Sequence, residues 1–361
     1  MSEHTNSAHP DMHSRFRGCL LGGAVGDALG YPVEFIDEKE IISRFGDRGI
    51  CRLEQAGSPA LISDDTQMSL FTANGLLWGM TNEGRADIGS IFKAYCEWLE
   101  TQGTFRQWDR RKKSRMWLRP VPELCALRAP GLTCLRALRT SRYGGSIEEP
   151  VNDSKGCGGI MRVAPIGLFS GETNCAVLAA EAAALTHGHV LGWASAAVLA
   201  QIIHDIVYEP SASLAATILR SAAKVSSIYP EAEEIEGFIE HICSMADAPE
   251  IPDLTGVHRC GEGWVGDEAL YIAIFCALRH DKDFGNAMRC AVNHRGDSDS
   301  TGSVCGNILG AWLGIEAVEN SFDLADLELR ELVQEIADDL YTAAIRGIPE
   351  TDKNWDRKYR L

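Results

Sequence analysis

The chain has 361 residues, 45% of them hydrophobic and 7% aromatic, with a formal net charge of −17 from 51 acidic and 34 basic residues. That length suits one large domain or two ordinary ones, and the apolar content supports a substantial core and argues against extensive disorder. A polyanion is repelled by such a surface, so nucleic acid is disfavoured as a partner.

Residues 1–14 read as a flexible tail, polar and without the apolar centre of a signal peptide. Helical periodicity starts at Arg15 and recurs over 65–80, 88–101, 173–187, 189–207, 212–227, 231–246, 266–279, 283–293, 300–316 and 325–346. Alternating β-branched runs are nearly absent, and Ala-rich pieces such as Ala176–Leu185 are strong helix formers. The expected class is all-α. Residues 15–361 form one expected compact multi-helix domain, with 103–122 and 247–263 as loop-rich excursions. The most apolar stretch, Val190 to Val207, contains Gln201, His204 and Asp205 and reads as a buried helix, not a membrane span. Twelve cysteines show no C-x-x-C pair and no zinc-like spacing with histidine, which indicates reduced thiols in a cytoplasmic protein.

Two glycine series recur at four-residue spacing: Gly18, Gly22, Gly26 and Gly30, then Gly302, Gly306, Gly310 and Gly314. On a helix this spacing draws a ridge. Each glycine costs a helix roughly 0.5–1 kcal/mol relative to alanine, so such ridges point to close backbone approach, with chance as the plainer explanation.

Two acidic clusters run into helices: Ser63-Asp64-Asp65-Thr66, and Gly296-Asp297-Ser298-Asp299-Ser300-Thr301. Either alone is explained as a helix cap with acids at the positive end of the dipole. Together they offer four carboxylates and several hydroxyls, the oxygen donors that Mg2+ or Mn2+ selects. Gly156-Cys157-Gly158-Gly159 is either a phosphate-cradling loop or a tight turn. His187 and His189 lie at a helix junction, where capping or packing is common. Cys157 with His187 as nucleophile and base has no local support. Seven Lys or Arg between Arg106 and Arg119 read as a solvated face.

Gly22-Gly23-Ala24-Val25-Gly26-Asp27-Ala28-Leu29-Gly30 with Glu34, then Ser63–Thr66, the Gly156 loop with Met161-Arg162, Thr186-His187, Gly261–Leu270 and Gly296–Thr301 occur in order. This series resembles the ADP-ribosylglycohydrolase family over residues 15–317. The resemblance implies an all-α domain with a cleft holding two Mg2+ or Mn2+ ions. It implies Ser63, Asp64, Asp65, Asp297, Asp299 and Ser300 as metal ligands, and Glu34 or Asp65 as the base or water-positioning group. Gly156, Cys157, Gly158, Gly159 and His187 are implied to contact the ligand. Serine stands where the family often has threonine at 63 and 300, and Cys157 where asparagine or serine is frequent. The implied function is metal-dependent removal of ADP-ribose from modified protein, arginine-linked by preference. Alternatives are a non-enzymatic binding or immunity protein blocking an ADP-ribosyltransferase, a hydrolase of serine-linked or polymeric ADP-ribose, and a Cys157 hydrolase. A modified protein, and a cognate transferase, are the implied partners; a membrane is not. Asp267 and Glu268 are candidates to receive a guanidinium, or simply acids in a first helical turn.

Overall fold

The computed structural model describes residues 10–103, 114–169 and 174–360. Among these, the regular elements are helices, joined by two isolated bridges that pair Ala60 with Leu327 and Gly156 with Val265. The all-α expectation holds.

The expected tail lies mainly outside the described residues, and its end is helical. Met12–Gly30 begins ahead of Arg15 because Asp11 caps it, accepting from the Ser14 N–H at 2.7 Å. Of the Arg106–Arg119 run, residues up to 113 are outside the described part. The 247–263 stretch contains the helix Asp253–Cys260, too short and polar for its periodicity to stand out. Two helices end earlier than periodicity suggested. Ser298–Leu313 stops where Gly314 takes a φ of +81°, and the helix over 325–346 is confined to Arg330–Tyr341 before a wider turn, Thr342–Arg346.

The glycine ridges meet each other. Met12–Gly30 and Ser298–Leu313 pack antiparallel, Gly18 against Gly310, Gly22 against Gly306, Gly26 against Gly302 and Gly30 against Ser298. A Cβ added at Gly26 would stand 2.0 Å from the Gly302 carbonyl oxygen, and one at Gly306 would stand 2.1 Å from that of Gly22. No side chain fits there. The Asn307 amide locks the register by donating to the Cys19 carbonyl at 2.8 Å. Both helices are buried almost all round, so neither has the polar face of a surface helix.

Val190–Tyr208 is long and apolar enough to cross a membrane, but most of it is buried inside the protein. It packs on Cys175–Ala184, Leu214–Ile228, Gly266–Arg279 and Ser298–Leu313. The buried Arg15 ties this helix to the first, donating to the Ile206 carbonyl at 2.6 Å.

Candidate active site

The glycine pairing places the acids. Because Gly30 lies on Ser298, the turn Tyr31–Val33 delivers Glu34 to the start of the Ser298–Leu313 helix. Oxygens of Glu34, Asp297 and Asp299 fall within 4.8 Å of one another, all three residues buried. One turn before Gly30, Asp27 reaches the other cluster. Its carboxylate accepts from the Ser63 N–H at 3.0 Å and the Thr66 N–H at 3.1 Å, and also from the Thr66 hydroxyl. A single helix therefore carries both Asp27, which caps Asp64–Glu83, and the turn that presents Glu34. Asp27 was part of the glycine motif but had no assigned role; its capping partner is 36 residues away and invisible to local pattern.

The clusters separated by more than 230 residues form one buried group. The Asp65 carboxyl is hydrogen-bonded to Ser300, and Asp64 feels Asp27 and Asp297. Burial, followed by neighbouring carboxylates, raises the pKa values of Asp64, Asp65 and Asp299 well above the usual range. Glu34 is pushed up to about 9 by burial, then by Asp297, Asp64 and Asp27. Asp27, whose hydrogen bonds oppose its burial, rises to about 6. Glu34 Oε2 and Asp65 Oδ2 have no hydrogen-bond partner although both are buried. An unsatisfied buried acceptor costs about 1–3 kcal/mol, more when charged. Repelling carboxyls with unused lone pairs and hydroxyls at Ser63 and Ser300 fit a hard divalent cation, which satisfies the acceptors and offsets the repulsion. The capping explanation also holds in part: Ser63 accepts from the Asp65 N–H at 3.2 Å, and Asp297 from the Ser300 N–H at 3.4 Å.

The 103–155 stretch, which carried no motif, contributes here. The Gly131 N–H donates to Asp64 Oδ2 at 3.3 Å, and the Asp64 N–H to the Arg128 carbonyl at 3.1 Å.

The Gly156 loop forms a tight turn, Cys157–Gly159, between the acids and His187. A Cβ at Gly158 would lie 2.8 Å from Cys134 Sγ and 3.0 Å from His187 Cε1, so a larger residue would push on both side chains. The loop does not aim all its amides at a ligand: the Gly156 N–H donates to Ser154 Oγ and the Cys157 N–H to the Trp264 carbonyl. The following Arg162 is fully buried under the Tyr95 ring and donates to Thr186 Oγ1 and the Ala182 carbonyl. Cys157 is hydrogen-bonded with Asp297 and Ser300; burial, then Asp297 and Asp65, raise its thiol pKa. Burial holds His187 down to about 3, Arg162 adding to the effect. Neither member of a Cys157–His187 nucleophile–base pair is set up for that work. His189 is a capping residue, its Nδ1 accepting from the Leu191 N–H.

Asp267 and Glu268 stand in the first turn of the helix Gly266–Arg279, the plainer of the two expectations for them. Asp267 pairs with Lys155 at 3.6 Å, and Glu268 accepts from the Glu262 and Gly263 N–H groups. They shape the 262–266 strut, whose Glu262 carbonyl accepts from the Asp297 N–H at 2.8 Å. At the cleft edge Trp264 stacks on the exposed Phe35, ring centroids 5.8 Å apart.

His187 yields a pH prediction. The unfolded histidine binds a proton below about 6.5, whereas the folded one stays neutral down to about 3. Its contribution to stability is complete above the unfolded pKa and is lost as pH falls from 6.5 towards 3. Denaturant melts across that range should show a shallower acid loss for His187→Asn than for the wild type; parallel curves would refute it.

Residues 8–349 match the ADP-ribosylglycohydrolase family. The chain is 26% identical over 338 residues to the ADP-ribosyl-[dinitrogen reductase] glycohydrolase of Rhodospirillum rubrum, spanning 89% of this chain and 92% of that one. To the ADP-ribosylhydrolase ARH3 of Homo sapiens it is 24% identical over 339 residues, with 86% and 88% covered. The solved structure of an ADP-ribosylglycohydrolase-related protein complex superposes with a TM-score of 0.62 at 24% identity, covering 93% and 99%, which shows a common fold.

Proposed function

Because the chain belongs to the ADP-ribosylglycohydrolase family, hydrolases that remove ADP-ribose, we propose that it is a Mg2+- or Mn2+-dependent enzyme releasing ADP-ribose from arginine-modified protein. The observation that carries this reading is the convergence of Glu34, Asp297 and Asp299 with Asp64 and Asp65 in one buried group. A binding protein has no use for so much buried repulsion.

Ser63, Asp64, Asp65, Asp297, Asp299 and Ser300 are the ligands in this proposal. Bound cations supply Lewis-acid polarisation and a grip on ribose hydroxyls and water. The chain's own groups do the rest. Breaking the bond at the anomeric carbon builds oxocarbenium-like charge, which the surrounding carboxylates stabilise. Glu34 stands on a turn outside the proposed ligand set, whereas Asp65 is one of the ligands and is hydrogen-bonded to Ser300; we assign the general base to Glu34. His187, held neutral, serves as a hydrogen-bonding contact beside the Gly156 loop. Gly158 and Gly159 present backbone to a phosphate, since the amides of Gly156 and Cys157 are engaged. The Trp264–Phe35 stack offers a flat apolar face at the edge.

The arginine preference rests on charge and leaving-group chemistry. A net charge of −17 favours a cationic acceptor over the polyanionic polymer. A guanidine leaves readily when it carries a proton, whereas serine's alkoxide needs firmer acid assistance. Twelve free thiols fit a reducing compartment, so we place the reaction in the cytoplasm. The test is release of free ADP-ribose from arginine-modified protein, serine-modified protein and polymer in parallel, each with and without EDTA. We expect EDTA-sensitive release, fastest from the arginine substrate. Preference for serine or polymer refutes the linkage alone, and release insensitive to EDTA refutes the metal dependence.

A further inference from the structure

A second group of metal-ligating side chains lies away from the acidic cleft. We propose that Asp253, His280 and Cys290 form a binding site for a borderline-soft divalent cation of the Zn2+ class. The site is independent of the proposed hydrolysis.

The three donors come from three consecutive helical elements. Asp253 opens Asp253–Cys260, His280 follows the last residue of Gly266–Arg279, and Cys290 lies in Phe284–Val292. One carboxylate oxygen, one ring nitrogen and one sulfur all fall within 4.8 Å of one another, with each residue partly buried. His280 Nε2 is 2.9 Å from Asp253 Oδ2, so the proton shared there marks the direction a cation would occupy. Linear spacing hid the group, since Asp253 and His280 are 27 residues apart.

The outer contacts are those of a ligand set. The Cys276 thiol donates to Cys290 Sγ at 3.2 Å, which stabilises the thiolate form of the liganding sulfur. Arg279 holds Asp253 at 3.5 Å and anchors the preceding loop by donating to the Ala248 and Ile251 carbonyls. Asp253 and Cys290, though not His280, line a cavity of about 200 Å3 whose wall also carries Glu38, Asp47, Arg48 and Arg289. Binding displaces to solvent the proton shared between His280 and Asp253 and the proton of the Cys290 thiol, leaving one carboxylate and one thiolate to neutralise the dication.

Donor softness separates this site from the cleft. Thiolate with imidazole selects Zn2+ and its congeners, whereas a carboxylate and hydroxyl set selects Mg2+ or Mn2+. The plainer explanation is a hydrogen-bonded staple among three helices. A staple has no need for a thiol that faces a cavity beside an imidazole and a carboxylate.

Cobalt is the probe, because a Co2+–thiolate bond has a charge-transfer absorption that oxygen ligands lack. The full-length Cys157→Ser protein, kept reduced with a phosphine, removes the thiol near the cleft. Stripped of metal and titrated with Co2+, it is expected to develop the thiolate band at one cobalt per chain, and Zn2+ should displace it. Cys290→Ser should lose the band. His280→Ala should weaken Zn2+ binding by roughly a hundredfold or more, and Cys276→Ser by roughly tenfold as an outer partner. The helical circular dichroism of each variant controls for folding, and His280→Ala stands in if Cys290→Ser does not fold. No thiolate band, a band surviving Cys290→Ser, or a Cys276–Cys290 disulfide as the isolated reduced-buffer state overturns the proposal.

Discussion

Asp299→Asn is expected to lower hydrolysis by on the order of 10²–10³-fold or more, the loss typical of removing one preorganised electrostatic group, while leaving the fold intact. The asparagine is the same size, and its carbonyl still accepts the Ser300 N–H that the carboxylate takes at 2.9 Å. What it lacks is the charge. In the metal-free protein that charge is a burden, because Asp65, Asp297 and Glu34 all raise the Asp299 pKa after burial has done so. The variant in EDTA should therefore melt no lower than the wild type in EDTA. Mg2+ should raise the melting temperature of the wild type and leave that of the variant nearly unchanged. Wild-type turnover together with a wild-type Mg2+ shift in Asp299→Asn would sink the assignment.

Gly306→Leu should destabilise the protein by about 1–3 kcal/mol at the least, as overpacking does in a tight core, and should also cut activity. The first atom of the new side chain would stand 2.1 Å from the Gly22 carbonyl oxygen and 2.5 Å from its carbon. These are backbone atoms of a helix buried on nearly all sides, so they have no rotamer by which to retreat. The helices must separate, and Asp27 and Glu34 travel with the first of them. Urea denaturation reads the stability and the ADP-ribose assay reads the displacement. Gly237→Ala is the control: nothing lies within 4 Å of its added Cβ, and it sits inside the Glu233–Ala246 helix. That change should be neutral or stabilise by up to roughly 1 kcal/mol. Equal effects at 306 and 237 would show that the contact has no special weight.

The all-α class was legible in the sequence because burying one face of a helix leaves a 3.6-residue apolar period, visible over Ile88–Thr101 and Leu214–Ile228. The glycine ridges and the two acidic helix starts were equally legible, since a bare stripe and a run of carboxylates are each costly without a purpose. Elements whose causes are not periodic were misjudged. Met12–Gly30 starts on a polar cap, Ser298–Leu313 ends on a left-handed glycine, and Asp253–Cys260 is short and polar.

The candidate site followed the same division. Glu34, the two Asp clusters, the Gly156 loop and His187 announced themselves as residue types in motif order. That Glu34 meets Asp297 and Asp299, and that Asp27 holds Ser63 and Thr66 in place, is decided by which glycine of one ridge lies on which residue of the other. The engagement of Asp267 and Glu268, the buried stack of Arg162 on Tyr95, and the grouping of Asp253 with His280 and Cys290 were likewise decided only in three dimensions. Local sequence specifies donors, caps and periodicity because those act over one or two helical turns. Partners dozens to hundreds of residues apart are chosen by packing, which no local window contains.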